Sequence, residues 1–310
     1  MSGPTELQVV HDTSYRYAAR VELAHHLGYL QPIATDYQTV SDFRLTILPK
    51  PGKIKSDLDS NRNHRFFFSL YAPHNRLHVR AESRVALTER YSKLDPEAGA
   101  PWEEVRDSMR YVAGVPFAPM SEFAFASPFV PIHTELRDYA LASFTPKRSI
   151  SAASIDLMHR IYADFSYDAE STQISTPVLE AFTERSGVCQ DFAHIMIGCL
   201  RALGLAARYV SGYLLTLPPA GRESLIGADA SHAWVAVHCP GIGGSGWLDL
   251  DPTNDMVPSM SHVTLAIGRD FGDVSPLRGI IRGGGAHSLR VGVSVRRIGT
   301  AAKSWHSRSA

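Results

Sequence analysis

The stretch that decides the reading runs from Arg185 to Leu214, RSGVCQDFAHIMIGCLRALGLAARYVSGYL. A Ser-Gly turn leads into a cysteine, then into an apolar-periodic run, then into residues typical of a strand. Behind Cys189 the apolar positions are Phe192, Met196, Cys199, Leu200 and Leu203, the spacing of one buried helical face. Cys189 is therefore expected in the first turn, or at the cap, of a mostly buried helix. There the free N–H groups and the positive dipole end favour thiolate over thiol. The same N–H groups can hold the oxygen of a tetrahedral intermediate. Cys199 sits in the middle of the apolar stripe and reads as a small buried hydrophobe.

A thiolate nucleophile needs a base, usually a histidine oriented by a third group. The chain has 14 histidines, so strand context has to choose among them. In SHAWVAVHC, Ala233, Val235, Val237 and Cys239 share one face, and His232, Trp234, Ala236 and His238 share the other. His232 opens that strand, with Asp229 and Ser231 just before it. His238, His194, His25 and His26 read as ordinary surface or core histidines. Further on, GWLDLDPTND puts Leu248 and Leu250 on one face and Asp249 and Asp251 on the other. Period two cannot separate the two aspartates, but Asp251 precedes Pro252 and so ends its strand at the sheet edge.

Outward from this core, the chain of 310 residues is 44% apolar and 20% charged, with a formal net charge of zero. That balance argues against a nucleic-acid surface or a polybasic membrane patch. No run of eighteen apolar residues is present, and the N-terminus lacks a signal-peptide pattern. Three cysteines make no disulfide framework and fit a reducing compartment, so the expectation is a cytoplasmic protein. The cysteines are spaced too widely for a zinc site, and RGGGA lacks the strand and Lys-Ser/Thr of a phosphate loop, so no metal or cofactor is expected.

From Gln8 to Tyr91, segments such as LQVVHDTSYRY and LHVRAESRVALTERY alternate with the turn signals PKPGK, DSNRN and APHNR. They predict an antiparallel β-sandwich over 1–94 with no polar constellation, a scaffold or binding module. Residues 95–131, with a short helix near Pro101 and then dense in proline and aromatics, read as an ordered linker. Helices then precede strands over 132–299, an α+β pattern, and 300–310 read as a disordered tail. The serines of SISAASIDLMHRIYADF, and Ser175 or Thr176 before Pro177, are the expected helix caps, and Gly187 an expected stop.

Together GVCQDFAHIMIGCLRALGLAARYVSGYL, ADASHAWVAVHCPGIGGSGWLDLDPTND and GRDFGDVSPLRGI resemble the bacterial transglutaminase-like cysteine peptidase family. That family belongs to the transglutaminase-like superfamily, with a papain-like catalytic core, and the first ninety residues resemble the β-sandwich that often precedes it. The resemblance implies Cys189 as nucleophile, His232 as base and Asp251, the aspartate before Pro-Thr, as the acid that orients it. Asp191 and the run Tyr209 to Tyr213 also match the family pattern. Gln190 or Tyr209 is a candidate to join the Cys189 N–H in an oxyanion hole, and Asp229 and Trp234 are candidate substrate contacts. Ala236 departs from the acidic residue often found there. The expected reaction is cleavage of a peptide or protein amide through a thioester. Acyl transfer to an amine is the alternative, and a non-catalytic binding protein the second alternative.

Overall fold

The computed structural model describes residues 3–216, 231–242 and 244–298. In chain order the strands and helices are β1 (Thr5–Gln31), β2 (Gln38–Leu48), β3 (Ile54–Leu58), β4 (His64–Leu70), β5 (His74–Leu87), α1 (Trp102–Ser108), α2 (Thr134–Leu141) and α3 (Ile150–Asp164). They continue with β6 (Ser166–Tyr167), α4 (Val178–Glu184), β7 (Ser186–Gly187), α5 (Cys189–Ala202), β8 (Ala207–Leu214), β9 (Ser231–His238), β10 (Trp247–Leu250) and β11 (His262–Gly268). The chain then forms α6 (Phe271–Val274), β12 (Leu277–Gly283) and β13 (His287–Arg297).

The first half is one antiparallel sheet folded on itself. The first part of β1 pairs with β5 and β13, whereas its second part pairs with β4 and β12. With β2 and β3 added at the edges, this makes two layers from a single long strand that changes partners between Tyr17 and Val21. Tyr17, Val21, Ala24, Phe66, Phe68, Leu77 and Val79 fill the space between the layers. Residues 277–297, grouped by sequence with the second half, thus return to complete the sandwich. The reason is physical: β1 would otherwise expose one edge along most of its 27 residues.

The second half packs helices on an antiparallel sheet ordered β10-β9-β8-β11. Helix α5 is its centre. Every residue from Gln190 to Arg201 is buried, because α2, α3 and α4 cover the sides that the sheet does not. Segment 95–131 contributes Trp102, Val105 and Val130 to the same core, which explains its aromatic content. The expected caps are replaced. Ser149 and Ser151 both donate to the carbonyl of Pro96 instead of capping α3. Pro177 itself is the N-cap of α4, and that helix stops at Arg185, which has a left-handed φ of 55°, two residues before Gly187.

The halves are joined by buried polar contacts as well as by apolar ones. Leu7, Val9, Val85 and Leu87 of the sandwich pack on Tyr213, Val263 and Leu265 of the core. Gln38 Nε2 donates to the Thr264 carbonyl at 2.7 Å, and Asn63 Nδ2 to that of Ile267 at 2.7 Å.

Candidate active site

Cys189 is the first residue of α5 and is partly exposed, whereas Cys199 and Cys239 are buried. Burial pushes the Cys199 and Cys239 thiols well above their ordinary range. The turn that delivers Cys189 is held by Asp191, whose Oδ2 accepts from the Val188 N–H at 2.9 Å and from Thr172 Oγ1 at 2.6 Å. Burial raises the Asp191 carboxyl, and these two bonds act in the opposite direction. A Cβ on Gly187 would lie 2.7 Å from that carboxylate, so glycine is required for the close approach. Asp191 therefore shapes the helix entry.

His232, at the start of β9, bonds through Nε2 to Asp251 Oδ2 at 2.7 Å, and its ring also hydrogen-bonds the Cys189 side chain. Burial alone would lower the imidazole pKa. The hydrogen bonds and charges of Asp251 and Cys189 outweigh it and raise the pKa to about 10. Burial likewise opposes ionisation of Asp251, but bonds and charge from His232 and His262 hold its carboxyl well below the usual range. Asp251 is fully buried and well supplied with donors: the Thr253 N–H at 3.0 Å, Asn254 Nδ2 at 2.8 Å and His262 Nε2 at 3.1 Å.

His262 is the residue that sequence reading missed. It opens β11, and His232 is the second residue of β9, so a histidine in the first two residues of a strand was the available signal. Ligand atoms of His232, Asp251 and His262 lie within 4.8 Å of one another, the spacing of a metal triad. The chemistry of the donors fits a hydrogen-bond relay better, since both histidines already bond to Asp251 Oδ2 and His262 Nδ1 bonds to Ser261 at 3.0 Å.

The two aspartates of WLDLD go separate ways. Asp249 Oδ2 bonds to Arg90 Nη1 at 2.5 Å and to Trp234 Nε1 at 3.1 Å, and Arg90 lies over the Tyr37 ring. Asp249 thus ties the second half to the first, and Asp251 alone meets His232. Trp234, a candidate substrate contact, is fully buried behind the site, 6.1 Å from the His232 ring and 5.2 Å from that of His262. A Cβ on Gly212 would meet its ring at 2.5 Å, which accounts for the glycine in YVSGY. Gln190 Nε2 donates to the Ile174 carbonyl at 3.2 Å, and Tyr209 packs against His194 and Phe271. Gln190 and Tyr209 both line a cavity beside Cys189. Asp229 lies outside the described residues.

Two cavities meet at Cys189. One, of about 650 Å³, is lined by Tyr162, Phe165, Thr253 and Asn254 among others. The second, of about 340 Å³, runs between the core and the sandwich. Tyr167, Cys189, Ser231 and His232 border both. The second cavity corrects the reading of the first half as lacking a polar constellation. His11 Nδ1 meets Tyr213 OH at 3.0 Å, its Nε2 meets Thr13 Oγ1 at 3.1 Å, and His11 and Thr13 line the cavity wall. Thr13 is two residues from His11 on the same strand face, but Tyr213 is 202 residues away, so no local pattern announces the pair of contacts.

A cysteine at a helix N-terminus, a histidine near the start of a strand and an aspartate just past the end of the next are the arrangement of a transglutaminase-like core. Residues 142–252 match the transglutaminase-like superfamily, and residues 7–86 match the bacterial transglutaminase-like N-terminal region. An uncharacterised protein of Mycobacterium tuberculosis (strain ATCC 25618 / H37Rv) is 42% identical over 284 residues, spanning 91% of this chain and 89% of that protein. The chain belongs to the bacterial transglutaminase-like family of this superfamily. A protein-glutamine gamma-glutamyltransferase of Pseudomonas aeruginosa is 33% identical over 137 residues, 42% of this chain and 20% of that protein. A candidate cysteine protease from Cytophaga hutchinsonii shares the fold, with a TM-score of 0.73 at 20% identity over 99% of this chain and 95% of that one.

Proposed function

We propose that this protein is a cysteine-dependent peptidase or amidase that acts through a thioester on Cys189. The observation that carries this reading is the hydrogen-bonded chain from Asp251 through His232 to Cys189. With the proton on His232, the Cys189 sulfur attacks the amide carbonyl, and the oxygen of the tetrahedral adduct is held by first-turn N–H groups of α5. His232 then protonates the departing amine. A water that gives its proton to His232 attacks the thioester, releasing the acid and restoring the starting pair. Asp251 fixes the ring and stabilises the imidazolium. His262 and Asn254 position Asp251.

The finer choice is the acceptor. Ser231, Thr253 and Asn254 line the larger cleft beside Cys189 and suit the entry of water, which favours hydrolysis over transfer to an amine. The test offers a glutamine peptide with excess labelled primary amine and compares free acid with amide product. Mostly acid, lost in Cys189→Ala, supports the proposal. Mostly amide, also lost in Cys189→Ala, converts the enzyme into a transglutaminase. Turnover that survives Cys189→Ala refutes the thiol mechanism.

A further inference from the structure

The cavity between the sandwich and the core is lined mostly by the core, but the sandwich closes one side of it. Its far wall is built from two adjacent strands in register: Thr13 of β1 pairs with Val291 of β13, and Tyr15 pairs with Leu289. These four side chains, with His11, face the same space as Cys189 and His232. Apart from those two catalytic-site groups and the neutral His11 ring, the lining holds no ionisable acid or base other than tyrosine; no Asp, Glu, Lys or Arg lines it among the described residues. Leu289 is 47% exposed and Val291 50% exposed, apolar surface that an occupant would cover. At about 340 Å³ the cavity is near the lower end of small-ligand sites, room for one large side chain rather than a folded partner.

We propose that this cavity is a substrate-binding subsite that takes a neutral, apolar or aromatic side chain on the acyl side of the scissile amide. The inference rests on the thiol mechanism above. Val188 and Gln190, at the entry to α5, border this cavity, so the carbonyl held by the helix start carries its side chain here. The amine then leaves, and water enters, through the larger cleft, which shares only Tyr167, Cys189, Ser231 and His232 with this cavity. A charged side chain in the subsite would lose its hydration with no counter-charge beyond the Cys189–His232 pair itself, whereas an apolar one gains by burial. The N-terminal sandwich thereby becomes part of specificity.

The experiment measures second-order alkylation of Cys189 by two chloromethyl ketones that differ only in a Phe or an Asp side chain next to the ketone. Each rate is divided by the iodoacetamide rate of the same protein. The proposal predicts a normalised Phe preference of about tenfold or more in the unaltered protein, of the size that burying one large side chain gives. Val291→Lys, at the half-exposed rim, is expected to erase or invert that preference, and Leu289→Lys serves if the first variant does not fold. Equal normalised rates for the two probes overturn the subsite, as does a Phe preference that survives in the folded lysine variants. Iodoacetamide that modifies Cys199 or Cys239 before Cys189 instead overturns the thiol mechanism.

Discussion

Two buried histidines border the same cavity and have opposite acid–base character. His11 belongs to the sandwich and meets only hydroxyls, those of Tyr213 and Thr13. Its burial outweighs the opposing charge of Asp12, and the pKa falls to about 4. His232 belongs to the core, and burial acts on it in the same direction. Asp251 and Cys189 outweigh that burial and carry the pKa to about 10. Burial alone therefore does not assign chemistry to a histidine. The set of partners does, and of these two histidines only His232 has a carboxylate together with a thiol.

The largest expected effect comes from removing that charged partner. Asp251→Asn keeps the shape and removes the carboxylate. We expect kcat/KM to fall by about 10³–10⁴-fold, as an amide partner favours the wrong tautomer, and the His232 pKa to move down toward that of His11. Steady-state kinetics and ring titration check both halves. Loss of activity at an unchanged His232 pKa would break the comparison.

Arg90→Met is the matching change at the other aspartate. It leaves Asp249 buried without its hydrogen-bonded cation, and we expect about 3–5 kcal/mol of lost stability by chemical denaturation. Iodoacetamide reactivity of Cys189 is expected to stay near that of the unaltered protein, because Asp249 serves the joint between halves. A collapse of thiol reactivity in the folded variant would tie Asp249 to the chemistry.

Buried neutral histidines give the comparison a pH signature. His11, His26 and His194 are each lowered to about 4 from an unfolded value of 6.5. Between those values the unfolded chain binds more protons than the folded one, so stability falls as pH drops below about 6.5. Each contributes a loss on the order of 1–2 kcal/mol by pH 5. His11→Asn should make the stability profile between pH 7 and 5 shallower by that amount. His232 behaves in reverse: its raised pKa contributes stability that is complete below pH 6.5 and is lost as pH rises through about 10. An unchanged slope in His11→Asn would remove it from this account.

The smallest effect belongs to His262. Removing its bond to Asp251 in His262→Phe is expected to cost roughly tenfold in kcat/KM, near the worth of one hydrogen bond to a charged group. As a positioning residue it should also shift the pH profile, because Asp251 loses one of the bonds that keep it ionised. A rate loss with no change in the profile would reduce His262 to packing.

Much of the site was legible because its parts are local. The periodicity after Cys189 announces a helix, the parity of SHAWVAVHC puts His232 opposite the apolar row, and Pro252 brings the strand to a close beside Asp251, which lies one residue past its end rather than in it. What escaped depends on distant pairing. Arg90 and Asp249 are 159 residues apart, and β12 and β13 return to β1 across the whole chain. Trp234 shares a strand face with His232, yet the sandwich side of the sheet covers it, with Ile33 and Ile267 packed nearby. Parity names a face but not what covers it. The serines before α3 look like caps, but the carbonyl of Pro96, more than fifty residues away, takes their hydroxyls. The wall of the second cavity was hidden for the same reason: it exists only where two halves of the chain meet.

The most direct measurement of the central claim is a nitrogen-15 titration of the histidine rings in the intact protein, with His232→Asn and His11→Asn identifying the two signals. At pH 8, His232 is expected to carry protons on both ring nitrogens and His11 on only one. A His232 ring that is neutral at pH 8 and titrates together with His11 would contradict it.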